Sequence, residues 1–133
     1  MSALLLDTNV VSILFNQNHR LRDAAIHAVA GHQLAISFMS RAELLLWPAL
    51  NNWGELRRAT LLQHLALYTA LYPDELTCAL WVDIVVSCRR AGKPIHIADA
   101  WIAAIARQWS LPLVTADLRD FERVEDLSVV LIQ

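Results

Sequence analysis

The stretch Ala3-Leu4-Leu5-Leu6-Asp7-Thr8-Asn9 constrains the fold more than any other part of the chain. An apolar run stops at an acidic residue, and an amphipathic segment follows at once. A short run of this kind reads as a buried strand of a parallel sheet covered on both faces. Asp7 then stands at the carboxyl end of that strand, where ligands bind in open α/β sheets. The competing account is that Asp7 or Asn9 caps the next helix.

The rest of the chain repeats the pattern. Asn9 to Phe15 predicts a short helix, and about Arg20 to Ala30 a second, ended by Gly31. Leu34 to Ser37 predicts a second buried strand. Ser40 is then expected to open a helix through Trp47 that Pro48 ends. Leu61, Leu65, Tyr68 and Tyr72, then Leu76, Leu80, Ile84 and Cys88 on the far side of Pro73, predict a helical hairpin on one side of the sheet. Gly92 and Pro94 stop its second arm. Ile97 to Trp109 is a further helix, with Leu113 to Thr115 and Val129 to Ile132 as the third and fourth strands. Strands separated by helices imply parallel crossovers. The expected architecture is a three-layer α/β/α domain over residues 1–133, with a central parallel sheet of four to five strands.

Three more acids are candidates to converge on the same crevice. Asp99 is the only Asp, Glu, Lys or Arg between Pro94 and Ala106, near the start of a helix apolar almost all round. A buried bare carboxylate is costly, so Asp99 must be capped, paired or bound to a metal. Asp117 closes the third strand as Asp7 closes the first, although it also suits a turn. Asp120, on the helical turn that follows, reads as a solvated charge. Glu43 fits a capping box with Ser40, yet it opens a helix at the same crevice mouth. Converging carboxylates cannot all ionise without a compensating charge, and Mg²⁺ or Mn²⁺ would supply one through oxygen ligands. The five histidines are scattered, which argues against zinc. No Gly-rich phosphate loop or Gly-x-Ser-x-Gly elbow is present.

Taken in order, Leu5-Leu6-Asp7-Thr8-Asn9, Ile36-Ser37-x-x-Ser40-x-Ala42-Glu43-Leu44-Leu45, Ile95-x-Ile97-Ala98-Asp99-Ala100-Trp101-Ile102 and Leu111-x-Leu113-Val114-Thr115-Ala116-Asp117-Leu118-x-Asp120-Phe121 resemble the PIN-domain ribonucleases, and among them the VapC-type toxins of toxin–antitoxin pairs. The resemblance runs from Leu4 to about Phe121. It implies a metal-dependent endoribonuclease leaving 5′-phosphate and 3′-hydroxyl ends. It places the catalytic and metal-binding acids on Asp7, Glu43, Asp99 and Asp117, supported by Asn9 and Thr115. The position of Asp117 is often Asn in such toxins. Trp47-Pro48 stands where small residues are expected after the Glu helix. The implied partners are an RNA substrate and a cognate antitoxin.

Composition sets the rivals. The net charge is −2, so no bulk basic surface advertises nucleic-acid binding. Bound cations would remove that objection by supplying local positive charge. Arg89, Arg90 and Lys93 form the densest basic cluster, suited either to a helix C-terminus or to an RNA backbone. Hydrophobic residues make up 56% of the chain, a surplus that fits a homodimer and a groove for an antitoxin segment. No run reaches the length of a membrane span and no leader is visible, so a cytoplasmic location is expected. Cys78 and Cys88 read as core thiols of a reducing compartment. Three other readings remain: a PIN-like module that binds RNA or protein without cutting, a phosphoryl-transfer domain using Asp7 as acceptor, and a structural domain whose acids are all caps. The phosphoryl-transfer reading lacks an acid pair beside Asp7 and a Lys after a late strand.

Overall fold

The computed structural model describes residues 2–133. Five strands, β1 (Ala3–Leu6), β2 (Gln33–Ser37), β3 (Thr69–Leu71), β4 (Leu113–Thr115) and β5 (Val129–Leu131), form one sheet in the order β3-β2-β1-β4-β5. Every pairing is parallel. Six helices complete the fold: α1 (Thr8–Phe15), α2 (Arg22–Val29), α3 (Phe38–Leu50), α4 (Glu55–Leu65), α5 (Glu75–Arg90) and α6 (Ile97–Trp109).

The two-residue period of the strands divides the core. Leu4 and Leu6 of β1, Ile36 of β2 and Val114 of β4 pack with α1, α2 and α4 on one face. Leu5, Ala35 and Leu113 point the other way, against Ile84 and Cys88 of α5 and the Ala-rich side of α6. The apolar surround read for α6 is real, since Ala100 and every residue from Ile102 to Ala106 are buried. These are the three expected layers. The chain winds outward from β1 to β2 and β3 on one side and continues at β4 and β5 on the other. The order therefore reverses between β1 and β4, which puts the switch-point crevice at the carboxyl ends of these two strands.

Four expectations change. The helical hairpin does not form as one unit: Thr69 to Leu71 is a strand, and α4 and α5 on either side of it lie on opposite faces of the sheet. Three residues pairing only with β2 leave too faint a pattern to outweigh the helical spacing of Leu61, Leu65 and Tyr68. Pro48 does not end its helix but sits in the last turn of α3, where only the carbonyl one turn back loses a donor. The carbonyl of Pro48 itself receives Trp53 N–H at 3.1 Å and the Arg58 guanidinium at 3.3 Å. Ser40 is not the cap of α3. Ser37 ends β2 and caps the helix in one step, its Oγ accepting the Ser40 N–H at 3.0 Å. Finally, Cys88 is buried as expected, but Cys78 is exposed, and both are free thiols.

Candidate functional site

Asp7 leaves β1 and enters α1 at once. Its backbone N–H bonds the Val114 carbonyl at 2.9 Å, continuing the sheet for one more residue. The side chain is 4% exposed. Oδ1 accepts the Thr8 N–H and Oδ2 accepts the Thr115 hydroxyl, both at 2.8 Å. Both readings of Asp7 therefore hold together, because it caps α1 and stands at the switch point. Burial pushes its pKa up to about 6. The hydrogen bonds from Thr115 and Thr8 oppose that rise, and the charges of Asp120 and Glu43 add to it.

Neighbouring polar groups fix the loop ends that frame Asp7. Asn9 Oδ1 accepts the Ala116 N–H at 3.3 Å, tying α1 to the segment after β4. Thr115 also receives the Asp117 N–H on its hydroxyl at 3.1 Å. Across the crevice, the Thr8 hydroxyl donates to Glu43 Oε1 at 2.8 Å and lies 2.8 Å from Ser40 Oγ. With Ser37 acting as the cap, Glu43 has no capping-box duty. Its side chain belongs to the crevice.

Asp99 sits in the first turn of α6, half-buried, and no hydrogen-bond donor among the described residues reaches its carboxyl. Burial, then the charges of Asp120 and Asp7, push its pKa up to about 7; His96 opposes the shift and Glu43 adds to it. A cavity of about 360 Å³ is lined by Asp7, Asn9, Glu43, Trp47, Asp99 and Asp120 among others. A neighbouring cavity of about 300 Å³ shares Asp99 and Asp120 and is lined further by Lys93, His96, Asp117, Arg119 and Arg123. Asp99 and Asp120 thus stand on the boundary between an acidic and a mixed-charge compartment.

Three of the four expected acids, Asp7, Glu43 and Asp99, come together directly. Asp117 is one step away. Its Oδ1 accepts the Arg119 N–H at 3.1 Å and pairs with Arg119 Nε at 3.4 Å, capping a 3₁₀ turn over Leu118–Asp120. That turn swings Asp120 into the acidic cavity, where its charge reaches both Asp7 and Asp99. Asp120 is itself raised by partial loss of water and then by Asp117, with His96, Arg119 and Lys93 opposing. Asp120 is exposed, as a solvated charge would be, and it lines the cavity as well. The available signal was its spacing from Asp117, one helical turn on. Lys93 lines the mixed-charge cavity and ion-pairs with Glu122, while Arg89 and Arg90 are exposed on the last turn of α5 and do not line it.

Among the described residues, no three His, Cys, Asp or Glu side chains stand close enough to form a ready-made metal cage. The donors around the acidic cavity are oxygens, and an open set of this kind suits a hard cation that keeps several waters.

Known proteins share the fold that positions this crevice. The chain is 28% identical over 126 residues to Ribonuclease VapC1 of Haemophilus influenzae, covering 92% of each protein. It is 30% identical over 128 residues to Toxin FitB of Neisseria gonorrhoeae, covering 89% of this chain and 90% of the relative. Among solved structures, VapBC2 from Rickettsia felis, bound to a DNA fragment from its promoter, superposes with a TM-score of 0.87 at 20% identity over 98% of this chain and 99% of that one. The family model described as PIN domain matches residues 4–127, and the chain belongs to that family.

Proposed function

We propose that the chain is a Mg²⁺- or Mn²⁺-dependent endoribonuclease serving as the toxin of a toxin–antitoxin pair. The observation that carries this reading is the gathering of Asp7, Glu43, Asp99 and Asp120 about one cavity, with burial and mutual repulsion driving Asp7 and Asp99 towards protonation. A binding module gains nothing from such repulsion, whereas a cation site needs the charge. The names of the ribonuclease and toxin relatives support cleavage of RNA and pairing with an antitoxin.

Asp7 and Asp99 would hold the ion, together with Asp120 or Asp117, and Glu43 directly or through water. When bound, such an ion offsets charge on the phosphodiester and lowers the pKa of a water. The chain's own residues set the geometry. Thr115 and the Thr8 N–H fix the Asp7 carboxylate in one orientation. The Thr8 hydroxyl anchors Glu43 by Oε1, leaving Oε2 as acceptor for a proton from water attacking phosphorus. In that displacement the bond from phosphorus to the 3′ oxygen breaks and the oxygen takes up a proton, giving 5′-phosphate and 3′-hydroxyl ends. Lys93, His96, Arg119 and Arg123 in the adjoining compartment offer donors to the flanking phosphates, with Arg89 and Arg90 further out along the strand.

For partners, α3 and α4 present Leu46, Leu50, Leu56 and Leu62 to solvent, Leu50 at 69% and Leu56 at 84% exposure. An apolar surface of this kind suits an antitoxin segment and a second copy of the chain. Light scattering is expected to give a dimer mass, and a monomer at working concentration would contradict it. No helix among the described residues is long and apolar enough to cross a membrane.

The test is cleavage of RNA by the purified protein in Mn²⁺. Asp7→Asn and Asp99→Asn should each lower the rate by more than about a hundredfold while the fold is kept. Intact RNA with wild-type protein in both Mg²⁺ and Mn²⁺ would instead favour a module that binds without cutting.

A further inference from the structure

The wall of the acidic cavity carries one large aromatic side chain that metal chemistry does not require. Trp47 lies one turn beyond Glu43 on α3, half-buried, and lines the cavity with Glu43 and Asp99. Its position is held from behind. The ring packs on Trp53 at 5.0 Å between centroids and 54° between planes. Trp53 is buried, stacks with Phe15 at 6.0 Å and 15°, and carries the Arg57 guanidinium 3.6 Å above its ring. Trp47 is thus a stiff surface beside the acids, and little side-chain freedom is left to lose when something lands on it.

The charge of the site says what would land there. A chain of net charge −2, with four carboxyls at its crevice, gains little from general attraction to phosphates. The donors of the adjoining compartment meet phosphates only at its edge, whereas an aromatic face stacks on any unpaired base for about 1–3 kcal/mol. In a duplex both faces of a base are already covered, and exposing one means unstacking it at a cost of a few kcal/mol.

We propose that Trp47, backed by Trp53, is the stacking platform for an unpaired base beside the scissile phosphate. This rests on the nuclease reading of the same site. Trp47 is a positioning and specificity residue in that scheme.

The test measures binding of labelled mixed-sequence RNA, single-stranded and as a duplex, by fluorescence anisotropy in an Asp99→Asn background that does not cut. Adding Trp47→Ala should weaken single-strand binding by about 5- to 150-fold and leave the weaker duplex binding unchanged. Trp47→Phe should restore single-strand affinity to within about threefold, with melting curves confirming that both variants fold. Equal loss on single strands and duplex, unchanged affinity in Trp47→Ala, or no RNA binding at all would each overturn the platform. Cleavage by the wild-type protein is scored separately. RNA left intact while binding still depends on Trp47 strikes the nuclease reading alone, and normal cleavage with Trp47-independent binding strikes the platform alone.

Discussion

Thr115 at the end of β4 donates its hydroxyl to Asp7 Oδ2 at the end of β1, a 2.8 Å bond between residues 108 positions apart. The two strands are neighbours at the point where the strand order reverses. The bond counters the rise that burial imposes on the Asp7 carboxyl. Thr115→Val keeps the shape, removes the donor, and leaves a buried oxygen without its partner. Stability should fall by about 1–3 kcal/mol. The acid limb of the cleavage rate should also move to higher pH, because protons then compete better for Asp7. An unchanged limb in the pH profile would show that Thr115 only packs.

Ser37 and Glu43 separate stability from chemistry. Ser37 Oγ caps α3, so Ser37→Ala should cost about 1 kcal/mol by chemical denaturation. Glu43 is exposed, so Glu43→Gln should leave stability within about 0.5 kcal/mol and still depress cleavage. Because Gln could still complete a capping box, Glu43→Ala is the decisive variant there, and destabilisation equal to the Ser37 variant would restore the box of Ser40 and Glu43.

The acids after β4 differ in the same way. Asp117→Asn keeps an oxygen for the Arg119 N–H and should retain the 3₁₀ turn. Asp120→Asn removes a charge that reaches both Asp7 and Asp99. Calorimetry should show Mn²⁺ affinity falling further in Asp120→Asn than in Asp117→Asn, and the reverse order would make Asp117 the ligand.

Two raised carboxyls also set a pH dependence of folding. Asp7 and Asp99 have folded values of about 6 and about 7, above the ordinary 3.8. The folded protein therefore holds its protons more tightly than the unfolded chain. That contribution is complete below about pH 4 and is lost as pH rises through 6 and 7. For the buried Asp7 it amounts to at most about 3 kcal/mol. In chelator, thermal stability should fall between pH 5 and about pH 8, and saturating Mn²⁺ should raise the curve most at the alkaline end. A melting temperature rising with pH in chelator would contradict the burial of these groups.

Much of this was legible in the chain itself, for definite reasons. Leu4 to Leu6 and Leu113 to Thr115 are buried to their last residue, so an apolar run cut off by an acid marks both strand and crevice. Asp99 stood out as the only Asp, Glu, Lys or Arg between Pro94 and Ala106, on a buried helix. What escaped depends on contacts that no local pattern encodes. Strand β3 exists through its pairing with β2, and Ser37 belongs to strand and cap at once. Asp120 had a faint local signal in its spacing from Asp117, whose carboxylate caps the turn that carries it. The acids were readable one by one, but their convergence follows from the order β3-β2-β1-β4-β5.

The most direct test is Mn²⁺ binding to the purified chain by calorimetry, in two buffers of different ionisation enthalpy, beside Asp7→Asn and Asp99→Asn. The prediction is saturable binding that releases protons near pH 6 and is lost in both variants, because residues at the ends of β1 and α6 then build one site. Binding that survives both substitutions, or no binding even with uncleavable RNA present, would contradict a cation site at the β1–β4 crevice.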